Sequence, residues 1–358
     1  MRLTPVAASM LILGLAGYAA LSAFAPRASA VPQSTAGPMR PPGSAAPSQD
    51  AAKPPQDQPP AQSSQTIRTQ TNLVNVFVTA RDKHNGIISD LGKDDFKVLE
   101  DGQDQKVAYF AKESDMPITL GILIDTSGSM QNILDAEQDT ASRFVHQIMR
   151  KKDEAMIISF DFDINLLADF TEDPSVLERA IRRTQINAVS SGGVVTPSTV
   201  PTGSNGGTDL YDAVYLACHD QFGSEAGRRA IILLTDAEDT GSKLTLQQAI
   251  EAAQRSDAVI HVLRLSDEPF YMSLGMGYSG AAVARKMAED TGGREVEVRG
   301  QKSLEKAFDE ISEELRSQYV IGYYPTNDKR DGTFRKIRVD VNRSDVRVLA
   351  RKGYYAPR

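Results

Sequence analysis

The chain has one cysteine, Cys218, in 358 residues, so no intramolecular disulfide can form. It has four histidines, His84, His146, His219 and His261, and none is spaced to serve a nucleophilic serine. That argues against a Ser–His hydrolase, which needs a base within hydrogen-bond reach and an oxyanion site. Cationic residues are not in excess: 40 Lys and Arg stand against 47 Asp and Glu, a net charge of −7, which argues against a general nucleic-acid binder. Tryptophan is absent, and nothing follows from that. No cysteine follows the N-terminal apolar stretch, which argues against a lipid-anchored lipoprotein. Residues 31–66 lack aromatic residues and are rich in Pro, Gln, Ser and Ala. Such a segment buries too little surface to offset the entropy of ordering, and reads as a disordered, semi-stiff linker.

Residues 1–30 carry an export signal. Arg2 is a minimal basic region, Val6 to Phe24 is apolar or small, and Ala28-Ser29-Ala30 fits a small-x-small cleavage site. Cleavage after Ala30 leaves Val31 first. An uncleaved anchor is the alternative, since the apolar stretch approaches membrane-spanning length; its alanines and glycines favour cleavage. The expected location is outside the cytoplasm: periplasmic, secreted or envelope-associated, with membrane attachment only if the segment stays uncleaved.

The apolar share of 41% and charged share of 24% are ordinary for a globular protein. Residues 67–115 read as strands: Leu73 to Thr79 alternates, and Phe96 to Glu100 and Lys106 to Phe110 flank an Asp101-Gly102 turn, a hairpin signal. Residues 318–358 read likewise, through Tyr319 to Tyr324, Lys336 to Val341 and Val346 to Leu349. Each flank is too small to form a stable β domain alone, and together they are expected to make a small sandwich. Between them, residues 116–317 alternate strands and helices, with helices over Ala136 to Met149, Pro174 to Gln185, Leu246 to Arg255, Ala281 to Asp290 and Ser303 to Ser317. Alternation of this kind predicts an α/β fold, a doubly wound, mostly parallel sheet covered by helices on both faces.

The chemistry concentrates at strand ends. The apolar run Ile118 to Ile124 ends in Asp125-Thr126-Ser127-Gly128-Ser129, which puts one carboxylate and two hydroxyls on a tight turn. Hard oxygen donors of mixed charge suit Mg²⁺, which retains several waters. Ser204 to Asp209 opens a helix and offers Thr208, which taken alone reads as an ordinary helix cap. Ala230 to Thr235 is a second buried strand, ending in Asp236. In a doubly wound sheet such loops meet at the switch point, so Asp125, Ser127, Ser129, Thr208 and Asp236 are expected to converge.

DTSGS, GGTDLYDAV and LLTDAEDTGS resemble the three parts of the metal-ion-dependent adhesion site of von Willebrand factor A domains. The resemblance implies that Ser127, Ser129 and Thr208 bind Mg²⁺ (or Mn²⁺) through their hydroxyls. Asp125 and Asp236 would bind directly or through water, and an Asp or Glu of an unidentified partner protein would fill the open position. Asp209 and Asp239 are further carboxylates expected beside the site, while Glu238 reads as a solvated loop residue. Ala237 departs from the family's glycine, which suits an unusual backbone conformation there. Over residues 68 to 356, the strand-rich lead-in and the ending Tyr319 to Pro325 with Arg351 to Tyr355 resemble the VWFA-related family common in acidobacterial genomes.

The function so implied is an exported, metal-dependent protein-binding module, not an enzyme, with no nucleic acid and no small-molecule cofactor. Loops 186–207 and 266–280, the latter with Met272, Leu274, Met276 and Tyr278, would supply specificity. The alternatives are an envelope scaffold in which the metal is structural, and a metal-assisted hydrolase, for which no general base is evident. Asp161, Asp163, Asn165 and Glu172 imitate a calcium loop, but Leu166 stands where the sharp turn needs glycine. They read instead as a hairpin with Leu166, Ala168 and Phe170 on one face. Cys218, on the apolar face with Leu210 and Val214, reads as a small buried hydrophobe.

Overall fold

Four strands precede the central sheet: β1 (Val74–Asp82), β2 (Phe96–Glu100), β3 (Gln103–Gln105) and β4 (Val107–Glu113). The computed structural model describes residues 73–113, 116–186, 207–224, 227–265 and 280–358. The expected export signal, the expected linker and nearly all of the two loops expected to supply specificity lie outside the described residues. Asp101 and Gly102 both take positive φ, 49° and 85°, as a two-residue hairpin turn requires. The strand they return is not 106–110, however, but the short β3, which pairs with β2. Gln105 explains the break. It is buried, its amide bonds to Thr326 Oγ1 at 3.0 Å, and the chain leaves that sheet at Lys106.

The central elements follow as β5 (Ile118–Asp125), α1 (Leu134–Ile148), β6 (Glu154–Phe160), β7 (Ile164–Thr171) and α2 (Pro174–Ile181). Then come α3 (Leu210–Leu216), β8 (Arg228–Thr235), α4 (Leu246–Arg255) and β9 (Ala258–Leu265). The series closes with α5 (Gly280–Thr291), β10 (Glu295–Val298) and α6 (Gln301–Leu315). Side-chain caps mark two helix starts. Asp173 caps α2 by accepting from Ser175 N at 2.9 Å, and Thr245 with Gln248 forms a capping box on α4. The α2 helix stops at Ile181, short of the expected Gln185.

The six strands run in the order β10-β9-β8-β5-β6-β7, parallel except for β7, which pairs antiparallel with β6. The chain winds from β5 out to β6 and β7, then returns to lay β8 on the other side of β5. The gap between β5 and β8 is therefore the switch point of a doubly wound, mostly parallel sheet. One face carries Phe144 of α1, Leu177 of α2 and Phe308 of α6; the other carries Leu210 and Val214 of α3, Ile250 of α4 and Met287 of α5. Cys218 is buried on the second face beside Val214, with its thiol pushed up to about 12 by burial. The β6–β7 register shifts between Ala155 and Ile157 and again before Ile158. That bulge moves the expected alternation, so Leu166 is 45% exposed and Leu167 packs inward instead.

The last strands are β11 (Gln318–Tyr323), β12 (Phe334–Val341), β13 (Val346–Ala350) and β14 (Gly353–Tyr355). They interleave with the first four in two sheets, β13-β1-β11-β4 and β14-β12-β2-β3. Val76, Phe96, Tyr319, Ile321 and Ile337 share the core between them. The described residues form one compact unit. Among the described residues, no helix is long and apolar enough to cross a membrane.

Candidate metal centre

Every residue of β5 is buried, so the strand delivers Asp125 to the sheet's carboxyl edge with no exposure. Its Oδ1 accepts from Ser127 N at 3.0 Å and its Oδ2 from Thr235 Oγ1 at 2.5 Å. The turn that follows is a single 3₁₀ element, Gly128–Met130, with Ser127 at its N-cap and Met130 buried beneath it. Thr126 pins the turn to β6: its N donates to Phe160 O at 2.8 Å and its Oγ1 to Asp161 Oδ2 at 2.7 Å. Ser127 Oγ and Ser129 Oγ lie 3.0 Å apart, and Ser129 Oγ donates to Asp236 Oδ2 at 2.5 Å. Four of the five expected residues thus form one continuous oxygen array across the gap between β5 and β8.

Thr208 reaches the same edge by another route. Its N donates to Thr240 Oγ1 at 3.0 Å, and its O accepts from Thr240 N and Gly241 N, each at 3.1 Å. It is held by its main chain to the loop that follows Asp236. The N-cap position of α3 belongs to Asp209 rather than Thr208, and Asp209 N donates to Asp161 O at 2.6 Å. Capping comes from across the loop: Tyr211 N donates to Ser242 Oγ at 2.9 Å and to Asp239 Oδ1 at 3.3 Å. Asp239 therefore serves a helix start, and burial raises the carboxyls of both Asp209 and Asp239 above the ordinary range. Glu238 departs from the expectation of a free loop residue: its Oε1 accepts from Gly280 N, the first residue of α5, at 2.7 Å.

Ala237 has φ 62°, the left-handed region that the sequence comparison with glycine anticipates. Its N donates to Thr235 Oγ1 at 2.9 Å, which helps hold a conformation costing about 1–2 kcal/mol for an L-residue. Burial, and then the charge of Asp236, push the Asp125 carboxyl from 3.8 up to about 7. Sequence reasoning missed two residues of this neighbourhood. Thr235 bonds both Asp125 and the Ala237 amide, and it was legible only as a strand residue. Glu137 of α1 is fully buried, and burial with the charges of Asp125 and Asp236 holds its carboxyl well above the usual range.

The donor set fits a small hard cation. Neighbouring ligands of an octahedral Mg²⁺, at about 2.0–2.1 Å from the ion, lie about 2.9 Å apart. The Ser127–Ser129 oxygen separation of 3.0 Å matches that spacing. Among the described residues, no group of three or more His, Cys, Asp or Glu side chains is arranged to hold a metal. The array is made instead of hydroxyls and two carboxylates, a combination suited to Mg²⁺ or Mn²⁺ over softer ions.

Residues 120–238 match the family model of the von Willebrand factor type A domain, which supports a domain of that type here. No curated protein matches the chain. Among solved structures, BatB from Bacteroides thetaiotaomicron is 19% identical over 56% of this chain and 100% of its own, with a TM-score of 0.42. A von Willebrand factor type A protein from Catenulispora acidiphila is 13% identical over 74% of this chain and 73% of its own, with a TM-score of 0.45. Proximal thread matrix protein 1 from the mussel byssus, in a form with a zinc-occupied MIDAS motif, is 12% identical over 57% of this chain and 50% of its own, with a TM-score of 0.42.

Proposed function

We propose that this chain is an exported, metal-dependent protein-binding module of adhesion type. One observation carries the reading: Ser127, Ser129 and Asp236 line up their oxygens across the β5–β8 switch point, at 3.0 and 2.5 Å, above the buried Asp125. Asp125, Ser127, Ser129, Thr208 and Asp236 would hold Mg²⁺ or Mn²⁺. When bound, the ion supplies an electrophilic centre that an Asp or Glu of a partner protein completes. The chain's own part is to fix the donors. Thr235 and the Ser127 amide orient Asp125, and the Glu238 amide orients Asp236 at 3.0 Å. Domains of the matched family are mostly interaction modules rather than enzymes, which favours the binding reading.

Export rests on the sequence of residues 1–30, and placement in the acidobacterial VWFA-related family on the ending Tyr319 to Pro325 and Arg351 to Tyr355. The division at residues 67–115, 116–317 and 318–358, with the two flanks folding as one β unit, belongs to the same proposal. Deleting residues 318–358 should strip hydrogen-exchange protection from β1; retained protection refutes that division.

Titration of Mg²⁺ and Mn²⁺ into the full-length chain beside Asp236→Ala, followed by heat of binding and melting temperature, tests the metal reading. Saturable binding lost in Asp236→Ala supports it. Absence of binding by the unsubstituted chain overturns it. Metal that raises stability while leaving capture of carboxylate-bearing proteins indifferent to chelator would favour the scaffold.

A further inference from the structure

We propose that Glu137 is a positioning residue of the metal centre, its carboxyl accepting hydrogen bonds from the water that a bound Mg²⁺ retains. The inference rests on the metal reading above. Glu137 stands in the first turn of α1, on the same stripe as Leu134, Ala141, Phe144 and Ile148, which is the stripe packed against the sheet. It is 0% exposed, and among the described residues neither Oε1 nor Oε2 has a hydrogen-bond partner.

A buried carboxyl without a partner costs about 1–3 kcal/mol or more, and the surrounding stripe gives no packing reason for one. An apolar side chain would fill the position at no such cost. The Ser127–Met130 turn leads directly into this helix start, with Ile133 N bonded to Met130 O and Glu137 N to Ile133 O, each at 3.0 Å, and the charged groups that bear on Glu137 are Asp125 and Asp236. Both repel it, so the site as built from protein alone is electrostatically unfavourable. A divalent cation between those carboxylates reverses the sign for all three.

No three acidic side chains among the described residues are grouped to hold an ion, so Glu137 is assigned to the ion's waters rather than to the ion itself. Mg²⁺ keeps several of its waters when few protein ligands reach it, and each water needs an acceptor on its outer side. Glu137 supplies two acceptor oxygens to which the described residues offer no donor. Groups that orient ligands from behind in this way typically change metal affinity 10- to 100-fold.

The test compares full-length chains carrying Glu137→Leu, Glu137→Gln and Asp236→Ala with the unsubstituted chain. The readouts are Mg²⁺ affinity by calorimetry, the EPR spectrum of bound Mn²⁺, and melting temperature in chelator. Glu137→Leu should bind Mg²⁺ 10- to 100-fold more weakly and yet melt higher without metal, because it removes an unpaired buried carboxyl. Glu137→Gln, which keeps one acceptor, should recover part of the affinity, and both should alter the Mn²⁺ spectrum. A merely structural Glu137 gives the opposite pattern: lower melting without metal, and Mg²⁺ affinity within twofold of the unsubstituted chain. That result overturns this inference alone. Absence of Mg²⁺ binding by the unsubstituted chain overturns the metal reading and this inference with it.

Discussion

Gly280→Ala should be among the most damaging single-methyl additions in the chain. Gly280 opens α5 directly against the loop that carries Asp236. A Cβ built there would lie 2.1 Å from Asp236 O, 3.0 Å from Ala237 C and 3.1 Å from Asp236 C. All three are main-chain atoms, so no side chain can swing away, and a separation of roughly 1 Å must open between helix and loop. Overpacking of this kind costs about 1–3 kcal/mol. The movement also stretches the bond from Gly280 N to Glu238 Oε1, now 2.7 Å; a hydrogen bond to a charged acceptor contributes about 1.5–3 kcal/mol. The expected loss is therefore about 2.5–6 kcal/mol, measured by urea unfolding at constant m. Gly128→Ala is the control, because a Cβ there meets nothing within 4 Å although it sits between Ser127 and Ser129. It should change stability by less than about 0.5 kcal/mol. If the chain yields on the loop side, Ser129 and Asp236 separate, and Mg²⁺ affinity falls as well. Gly280→Ala with unfolding free energy indistinguishable from Gly128→Ala would refute the steric argument outright.

Ala237→Gly relieves about 1–2 kcal/mol of left-handed strain and adds about 0.4–1 kcal/mol of unfolded-chain entropy, so urea unfolding should show a net gain near 0.5 kcal/mol. A net loss would mean that the methyl packs usefully despite φ 62°. In chelator, the melting temperature should rise as pH falls from 8.5 to 6.5. The folded Asp125 pKa, about 7, lies above its unfolded value of 3.8, so its stability is present at low pH and lost as pH rises through 7. Below pH 6.5 His261 acts in the other direction, since burial lowers its folded pKa to about 4, and the curve should flatten or turn. A melting temperature that falls steadily from pH 8.5 to 6.5 would contradict this. Glu314→Ala should cost about 3–5 kcal/mol, because Glu314 is fully buried against Arg81, at 2.7 Å, and Arg294, at 3.0 Å, and its loss takes the carboxylate from Arg81 and leaves Arg294 with Glu310. A loss under about 1 kcal/mol by urea unfolding would refute it.

The sheet was legible because its signals are local. Apolar runs such as Ile118 to Ile124 and Ala230 to Leu234 have no other stable use than a strand covered on both faces, and each ends in the aspartate that matters. Caps are equally local: Asp173 and Thr245 each accept from a main-chain N–H within three residues. Errors arose where long-range geometry decides. Nothing near Lys106 announces that the chain changes sheets, since the pairing of Gln105 with Thr326 spans most of the chain. The β6–β7 bulge likewise depends on two strands together, and it exchanged Leu166 for Leu167 on the inner face.

The metal centre divides along the same line. Asp125, Ser127, Ser129 and Asp236 were found because a turn of small oxygen donors after a buried strand is a local pattern. In sequence Asp239 reads as a carboxylate beside the site and Glu238 as a solvated loop residue. Their partners separate them: one serves the start of α3, the other the start of α5. Glu137 did leave a sequence trace that motif reading passes over. On α1 the positions Leu134, Glu137, Ala141, Phe144, Val145 and Ile148 form one helical stripe, and Glu137 is its single charged member. A charge on an inward stripe needs a partner, and periodicity alone fixes which end of the helix it occupies. That end abuts the carboxyl edge of β5 and β8. The requirement for a partner, read from the helix, and the requirement for donors, read from the strand ends, therefore meet at one place.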